Sequence, residues 1–294
     1  MNQESSRISG SSLVLIAAII FSFGPLIFRQ VEEADAWQFL FYRQLAGGGL
    51  SLLIFLYRRF QSGKSDFQFT LREFFAGVLL SLMAIFYIFA LQRTSSAFVM
   101  LLMSTSPIFA TVFAKLILNE KTKKKTILAT LIVGCGIAVM VAGEVTGGSL
   151  LGALFALLIP ICLGLYSVFL RSAPGGDPSA PIIVGGLFCC ILVVTPLLVS
   201  SSFSVRAQDA GYALLDGGLE LGIGAAIFNY AHKKISPGEV NLLLSAQVFL
   251  APLWVWIFVA EIPSMATVIG GIIALPAVLW VASSEEDYPV ELRE

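Results

Sequence analysis

The chain has 294 residues, of which 57% are hydrophobic and 13% charged; a soluble domain carries roughly a quarter of its residues as charges, so lipid must be the solvent for most of it. A net charge of -1 argues against a nucleic-acid partner, which would require a clustered basic face. The cysteines (Cys135, Cys162, Cys189 and Cys190) all lie in apolar runs and His232 is the one histidine, which points to neither a disulfide framework nor a metal centre, and no cofactor motif is present.

Residues 1–10 are polar. The apolar stretch from Ser12 to Phe28 follows without a small-residue cleavage site, so it reads as a retained first helix. A membrane-spanning helix needs roughly 20 apolar residues, and ten segments qualify: 11–28, 37–57, 74–92, 96–118, 126–143, 149–170, 181–200, 212–231, 238–260 and 265–283. The runs are too long, and alternate too little, for barrel strands. The connections between them are short. The expectation is an all-α integral membrane protein of ten transmembrane helices.

Lysine and arginine orient the chain. With the N-terminus in the cytoplasm, thirteen of the 18 basic residues fall inside and only Arg29, Arg93 and Arg206 outside, with Arg43 and Lys115 inside helices. Both termini are then cytoplasmic, in a multi-pass protein of the cytoplasmic (plasma or inner) membrane.

The sequence also repeats. Tyr87-Ile-Phe-Ala-Leu-Gln-Arg-Thr-Ser-Ser-Ala97 parallels Phe228-Asn-Tyr-Ala-His-Lys-Lys-Ile-Ser-Pro-Gly238, and the helices that follow end at Asn119-Glu120 and Ala260-Glu261. Phe28-Arg29 and Phe169-Leu170-Arg171 close the first and sixth segments alike. Two units follow, 11–143 and 149–283. Each has five helices, an odd number, so the second is inverted relative to the first. Lysines crowd the turn after Glu120 and are absent after Glu261, as inversion requires. Inverted repeats characterise secondary transporters, whose substrate site lies near the bilayer midplane where the repeats meet.

A polar-Pro kink, Ser104-Thr-Ser-Pro107, followed by Asn119-Glu120-Lys-Thr122, is matched in the second half by Leu250-Ala-Pro-Leu-Trp-Val-Trp256 and Ala260-Glu261-Ile-Pro263, and Arg43 sits in Phe41-Tyr-Arg43. Together these resemble the EamA-type family of the drug/metabolite transporter superfamily. The resemblance implies two inverted five-helix repeats around a central cavity lined by helices one, three, four, six, eight and nine. It also implies transport of amino acids, their derivatives or other small metabolites, often outward. Gln247-Val248 stands where the second half would carry a kink proline, and helix eight carries Asp216 and Glu220 where the pattern has apolar or small residues.

Charges inside a membrane are expensive and face a cavity or a partner. Glu220 lies about eight residues from the outer end of its predicted segment, roughly 12 Å deep at 1.5 Å per residue. Arg43 is at similar depth on helix two. Asp216 shares the face of Glu220, four residues away, and is shallow enough to reach head groups. Glu220 is a candidate to bind a proton, a cation or a substrate ammonium, with Arg43 tuning its charge; the alternative is a structural ion pair locking helix two to helix eight. Ser104, Thr105, Ser106 and Pro107 on helix four and Ser245 and Gln247 on helix nine are candidate substrate contacts, or else interhelical glue. Asn229, Tyr230 and Asn241 form a candidate inner gate. Phe23, Tyr87 and Tyr166 offer an aromatic wall. Gly47, Gly48, Gly49, Gly134, Gly136, Gly218, Gly222, Gly270 and Gly271 are read as helix-packing positions, and Glu261 as an interfacial contact to a basic turn.

These features favour a secondary transporter with a small-molecule substrate, acting as a monomer or a homodimer. A lipid-directed transferase would need clustered His, Asp or Arg at one interface, and a channel a continuous polar stripe; neither pattern is present.

Overall fold

A backbone in hydrocarbon must satisfy its own hydrogen bonds, which leaves helices as the way for long apolar runs to span a bilayer. The computed structural model describes residues 3–62, 70–118, 124–146, 149–171, 179–199, 202–231, 243–244 and 246–284. Its elements are α1 (Gln3–Ser22), α2 (Gly24–Arg29), α3 (Ala36–Ser62), α4 (Leu71–Leu91), α5 (Ser96–Met103), α6 (Ser106–Leu118), α7 (Lys124–Thr146), α8 (Leu150–Arg171), α9 (Ala180–Val199), α10 (Ala207–Asp216), a π-helical segment (Gly217–Gly224), α11 (Ala225–Ala231), α12 (Ala246–Val259) and α13 (Met265–Ser284). No strand occurs among the described residues.

Among the described residues, seven helical stretches are long and apolar enough to cross a membrane: Gly10–Arg29, Ala36–Gln61, Leu71–Leu91, Ser96–Ile117, Leu150–Phe169, Ala180–Val199 and Ala207–Phe228. Three shorter apolar helices, Ile127–Gly143, Ala246–Val259 and Met265–Ala277, coincide with the remaining predicted segments. Large apolar side chains point outward, Phe60 being 90% exposed and Leu198 70%, while Arg43, Gln44, Asp216, Glu220 and Gln247 are buried. That distribution suits a lipid-facing surface.

Two of the predicted spans are discontinuous. The fourth breaks at Ser104–Thr105, between α5 and α6, at the kink expected from Pro107, which has no amide to continue the ladder. The hydroxyls of Ser104 and Thr105 turn back onto the carbonyls of Leu101 (2.6 Å) and Leu102 (2.7 Å), taking up backbone acceptors at the break. The first, read as one continuous helix, instead breaks at Phe23, with Pro25 in the opening turn of α2. Ser22 Oγ bonds the Ile19 carbonyl at 2.7 Å, repeating the device used in the fourth. The eighth span starts at Ala207, five residues earlier than expected.

Numbered by span, the fifth packs on the tenth, the second on the seventh, the third on the sixth and seventh, the fourth on the sixth, the eighth on the first and second, and the ninth on the first and fourth. Adding five to both members of each pairing returns another pairing in the set. Close approach depends on a few glycines. A Cβ on Gly136 of α7 would meet the Gly270 carbonyl of α13 at 2.7 Å, so these backbones touch. Gly47, Gly48, Gly222 and Gly271 also meet neighbouring helices, whereas Gly49, Gly134 and Gly218 face open space and are not packing positions.

Gly136→Leu should therefore force α7 from α13 and cost about 1–3 kcal/mol of stability, the usual range for overpacking. Thermal unfolding of the purified protein checks this, with Gly134→Leu, which meets nothing, expected to leave the midpoint in place.

Candidate functional site

Arg43 extends from the N-terminal third of α3 toward the eighth span, and its hydrogen-bond partners there are both carboxylates. Its Nε donates to Asp216 Oδ2 at 2.5 Å and its Nη2 to Glu220 Oε2 at 2.5 Å. Side-chain exposures of 4%, 1% and 8% for Arg43, Asp216 and Glu220 put all three out of solvent, where charge-assisted bonds are strong and unpaired charge is costly. The Tyr87 ring of α4 lies 6.0 Å from the guanidinium carbon, within cation–π reach. Four sequence-predicted residues thus converge.

The local sequence makes this contact possible. Gly217 abuts the carbonyl of Arg43, and Gly47 abuts the Leu221 side chain and the Gly217 carbonyl, so the backbones of α3 and the eighth span approach closely at their crossing. Four glycines in eight residues weaken the α-ladder, and Gly217–Gly224 adopts the rare π form, which is frequent at functional sites. Ser51 Oγ donates to the Leu221 carbonyl at 3.1 Å and steadies it. Asp216 was expected to be shallow enough for head groups. With the helix starting at Ala207 it lies nine residues in, roughly 14 Å at 1.5 Å per residue, and it is buried.

Glu220 also reaches the break in the first span. Glu220 Oε1 lies against Gly24, in the space a Cβ there would need. Immediately before, Phe23 stacks on Trp254 of α12, centroids 5.4 Å apart and planes 6° apart. Trp254 Nε1 donates to Ser22 Oγ at 2.9 Å. The break is therefore clasped on one side by a carboxylate and on the other by an indole.

At the far end of α2, Arg29 uses three nitrogens: Nε to Glu261 Oε2 (2.7 Å), Nη1 to the Leu91 carbonyl (2.5 Å) and Nη2 to the Thr94 carbonyl (2.7 Å). Glu261 Oε1 accepts the Ser96 amide at 2.5 Å. Four chain segments are fastened by one ion pair. Ala260, at φ 58°, ends α12 in the left-handed region, at a cost of about 1–2 kcal/mol for a non-glycine, and turns Glu261 into this knot. The expected basic partner of Glu261 exists, but comes from the first span. Nearby, Asp209 accepts the amides of Glu32 (3.3 Å), Glu33 (2.9 Å) and Ala34 (2.9 Å), Arg206 pairs with Glu32, and Gln38 donates to the carbonyls of Ser202 and Ser204. The same end of the bundle is thus tied twice across its halves.

The other predicted residues are dispersed. Gln247 is buried on α12, which packs against α1, α2 and α5. Tyr166 is half-buried in α8, and Ser106 opens α6 half-buried. Ser245 and Asn241 lie outside the described residues, as do the side chains of Pro107, Asn229 and Tyr230. Sequence reasoning missed Ser22, Gly24, Asp209 and Trp254. Pro25 was the available signal for the break, whereas the contacts span large separations that leave no local trace.

The sequence profile of the EamA-like transporter family matches residues 8–142 and again 150–283. Two relatives described as "Pseudopaline exporter CntI", from Pseudomonas aeruginosa strains UCBPP-PA14 and PAO1, are each 24% identical over 281 residues, covering 95% of this chain and 97% of the relative. A solved crystal structure of a protein aligns with a TM-score of 0.64 at 17% identity, over 95% of this chain and 99% of the other, a likeness of fold alone.

Removing one partner of a buried ion cluster leaves uncompensated charge and costs about 3–5 kcal/mol. Arg43→Met, which strands two carboxylates, should lower the unfolding midpoint far more than Glu220→Gln, which leaves a one-to-one pair. The triple change Arg43→Met, Asp216→Asn, Glu220→Gln should recover part of the loss. Additive effects in thermal unfolding would show that the three do not act together.

Proposed function

The chain belongs to the EamA-like transporter family, and on that premise we propose that it is a secondary transporter exporting small organic metabolites, amino acids or related compounds, across the cytoplasmic membrane by alternating access. In this reading ten transmembrane helices form two inverted repeats, 11–143 and 149–283, with both termini cytoplasmic, and the chain acts as a monomer or a homodimer. The charge bias of the loops supports the orientation, and the exchange of packing partners on adding five supports the repeats. The name of the Pseudomonas relatives favours export.

One observation carries the mechanism. The Arg29–Glu261 knot closes one end of the bundle across both halves, and the assigned orientation makes that the outer end. Below it, the first and fourth spans are interrupted at Phe23 and at Ser104–Thr105. An alternating-access carrier needs an end that is sealed and spans that can bend above and below the substrate. We place the substrate between these interruptions, against Phe23, Trp254, Gln247 and the Ser104–Pro107 turn, with Ser245, Tyr87 and Tyr166 completing the wall. Asn229, Tyr230 and Asn241 then serve as the inner gate.

Proteoliposomes offered radiolabelled amino acids, purines and vitamins should show saturable uptake of at least one compound, accelerated when the same compound is loaded unlabelled on the other side. Flux that neither saturates nor responds to the opposite side would make the protein a channel and overturn the proposal.

A further inference from the structure

The Arg43 cluster does not balance its own charge. One guanidinium faces two carboxylates, and all three groups are nine-tenths or more buried. The other titratable groups facing them are Tyr87 from α4 and Cys189 from α9, both neutral side chains at working pH. Arg29 is engaged by Glu261. Fully ionised, the cluster holds one net negative charge within a membrane-spanning bundle, where isolated charge is strongly disfavoured. A single bound positive charge would relieve it. Among the described residues no group of three or more His, Cys, Asp or Glu is placed to hold a metal ion, and each carboxylate already faces the guanidinium, so a proton fits better than a coordinated cation.

Of the two acids, Glu220 is placed to take it. Asp216 is the more deeply enclosed. Glu220 lies in the π segment, beside the interruption of the first span, with Oε2 on Arg43 and Oε1 against Gly24. Arg43 Nη1 and Asp216 Oδ1 are buried with no hydrogen-bond partner, a donor and an acceptor beside the acid that a proton-carrying water would satisfy. From Gly24 the short α2 runs directly to Arg29. Its first residue is thus held by one carboxylate and its last by another.

Resting on the transporter reading above, we infer that Glu220 binds one proton and that its charge state controls α2, so that protonation loosens the outer seal. The step is a simple association. The carboxylate gains an O–H bond, the net charge of the cluster rises from minus one to zero, and Arg43 keeps Asp216 as its one-to-one partner. Gly24 loses the charged carboxylate that lies against it, and the start of α2 is freed from the cluster while its end stays on Glu261. Loss of the proton restores the clasp at Gly24.

Two readouts on the purified full chain in liposomes test this without any transported substrate. Infrared difference spectra across a pH series should contain a protonated-carboxyl band that is absent from Glu220→Gln, moves to lower pH in Asp216→Asn, and ignores sodium. At fixed pH, hydrogen exchange of amides 24–34 should be several-fold faster in Glu220→Gln than in the unaltered protein. Gly24→Ala, which drives a methyl into the carboxylate while keeping every charge, should also speed that exchange and retain the band; it tests the same link if Glu220→Gln fails to fold. A band that survives Glu220→Gln, a sodium-dependent band, or unchanged exchange at 24–34 in Gly24→Ala would overturn the inference. Such a failure leaves the carrier reading standing on trans-stimulated uptake, and an absence of transport would leave the band assigned.

Discussion

Arg43 enters the hydrocarbon region and must meet opposite charge there, because no water is at hand to solvate it. It meets Asp216 and Glu220 together, and much of the architecture follows from that requirement. Two backbones must come close enough for the reach to be short, which fixes Gly47 and Gly217 at the crossing. The eighth span must present two acids to one guanidinium, which its glycine-rich π segment accommodates. Glu220, drawn to this point, also lies against Gly24 and so joins the second and eighth spans to the interruption in the first.

The Arg29–Glu261 knot is the mechanical counterpart of that cluster. Arg29 uses all three of its nitrogens, and Glu261 both of its oxygens, on one another and on backbone groups of the third-to-fourth turn. The left-handed Ala260 that aims Glu261 stores a small amount of strain at the same place, as is common where a structure switches. The seal and the cluster lie at opposite ends of α2, six residues long. A change at either end is therefore transmitted by a rigid element of a single turn and a half.

Much of this was legible in the residues because lipid imposes severe rules. Apolar runs long enough to span, the basic bias of alternate loops and the offset pairs Glu120 and Glu261 mark the membrane segments and their two-fold organisation. Pro107 marked the interruption of the fourth span. Arg43, Asp216 and Glu220 stood out because charge in such runs demands a reason. The interruption at Phe23 was not legible: Pro25 is compatible with the first turn of a new helix or with a bent continuous one, and only packing against Trp254 and Glu220 decides. The depth of Asp216 was misjudged because Arg206 to Tyr212 is too polar to read as membrane helix, although Asp209 is buried by capping the loop at Glu32–Ala34. Ser104 and Thr105, read as substrate contacts, direct their hydroxyls to their own backbone, a local bond that helix-forming patterns do not reveal.

The most direct measurement is the distance across the outer end, by double electron–electron resonance between spin labels at the exposed positions Gln92 and Ile262 in a chain whose native cysteines are replaced. If the Arg29–Glu261 knot is a seal that opens, the unaltered background should show a dominant short distance, and Glu261→Gln should populate a second, longer one. A single distance that Glu261→Gln leaves unchanged would make the knot a fixed strut and contradict alternating access at this end.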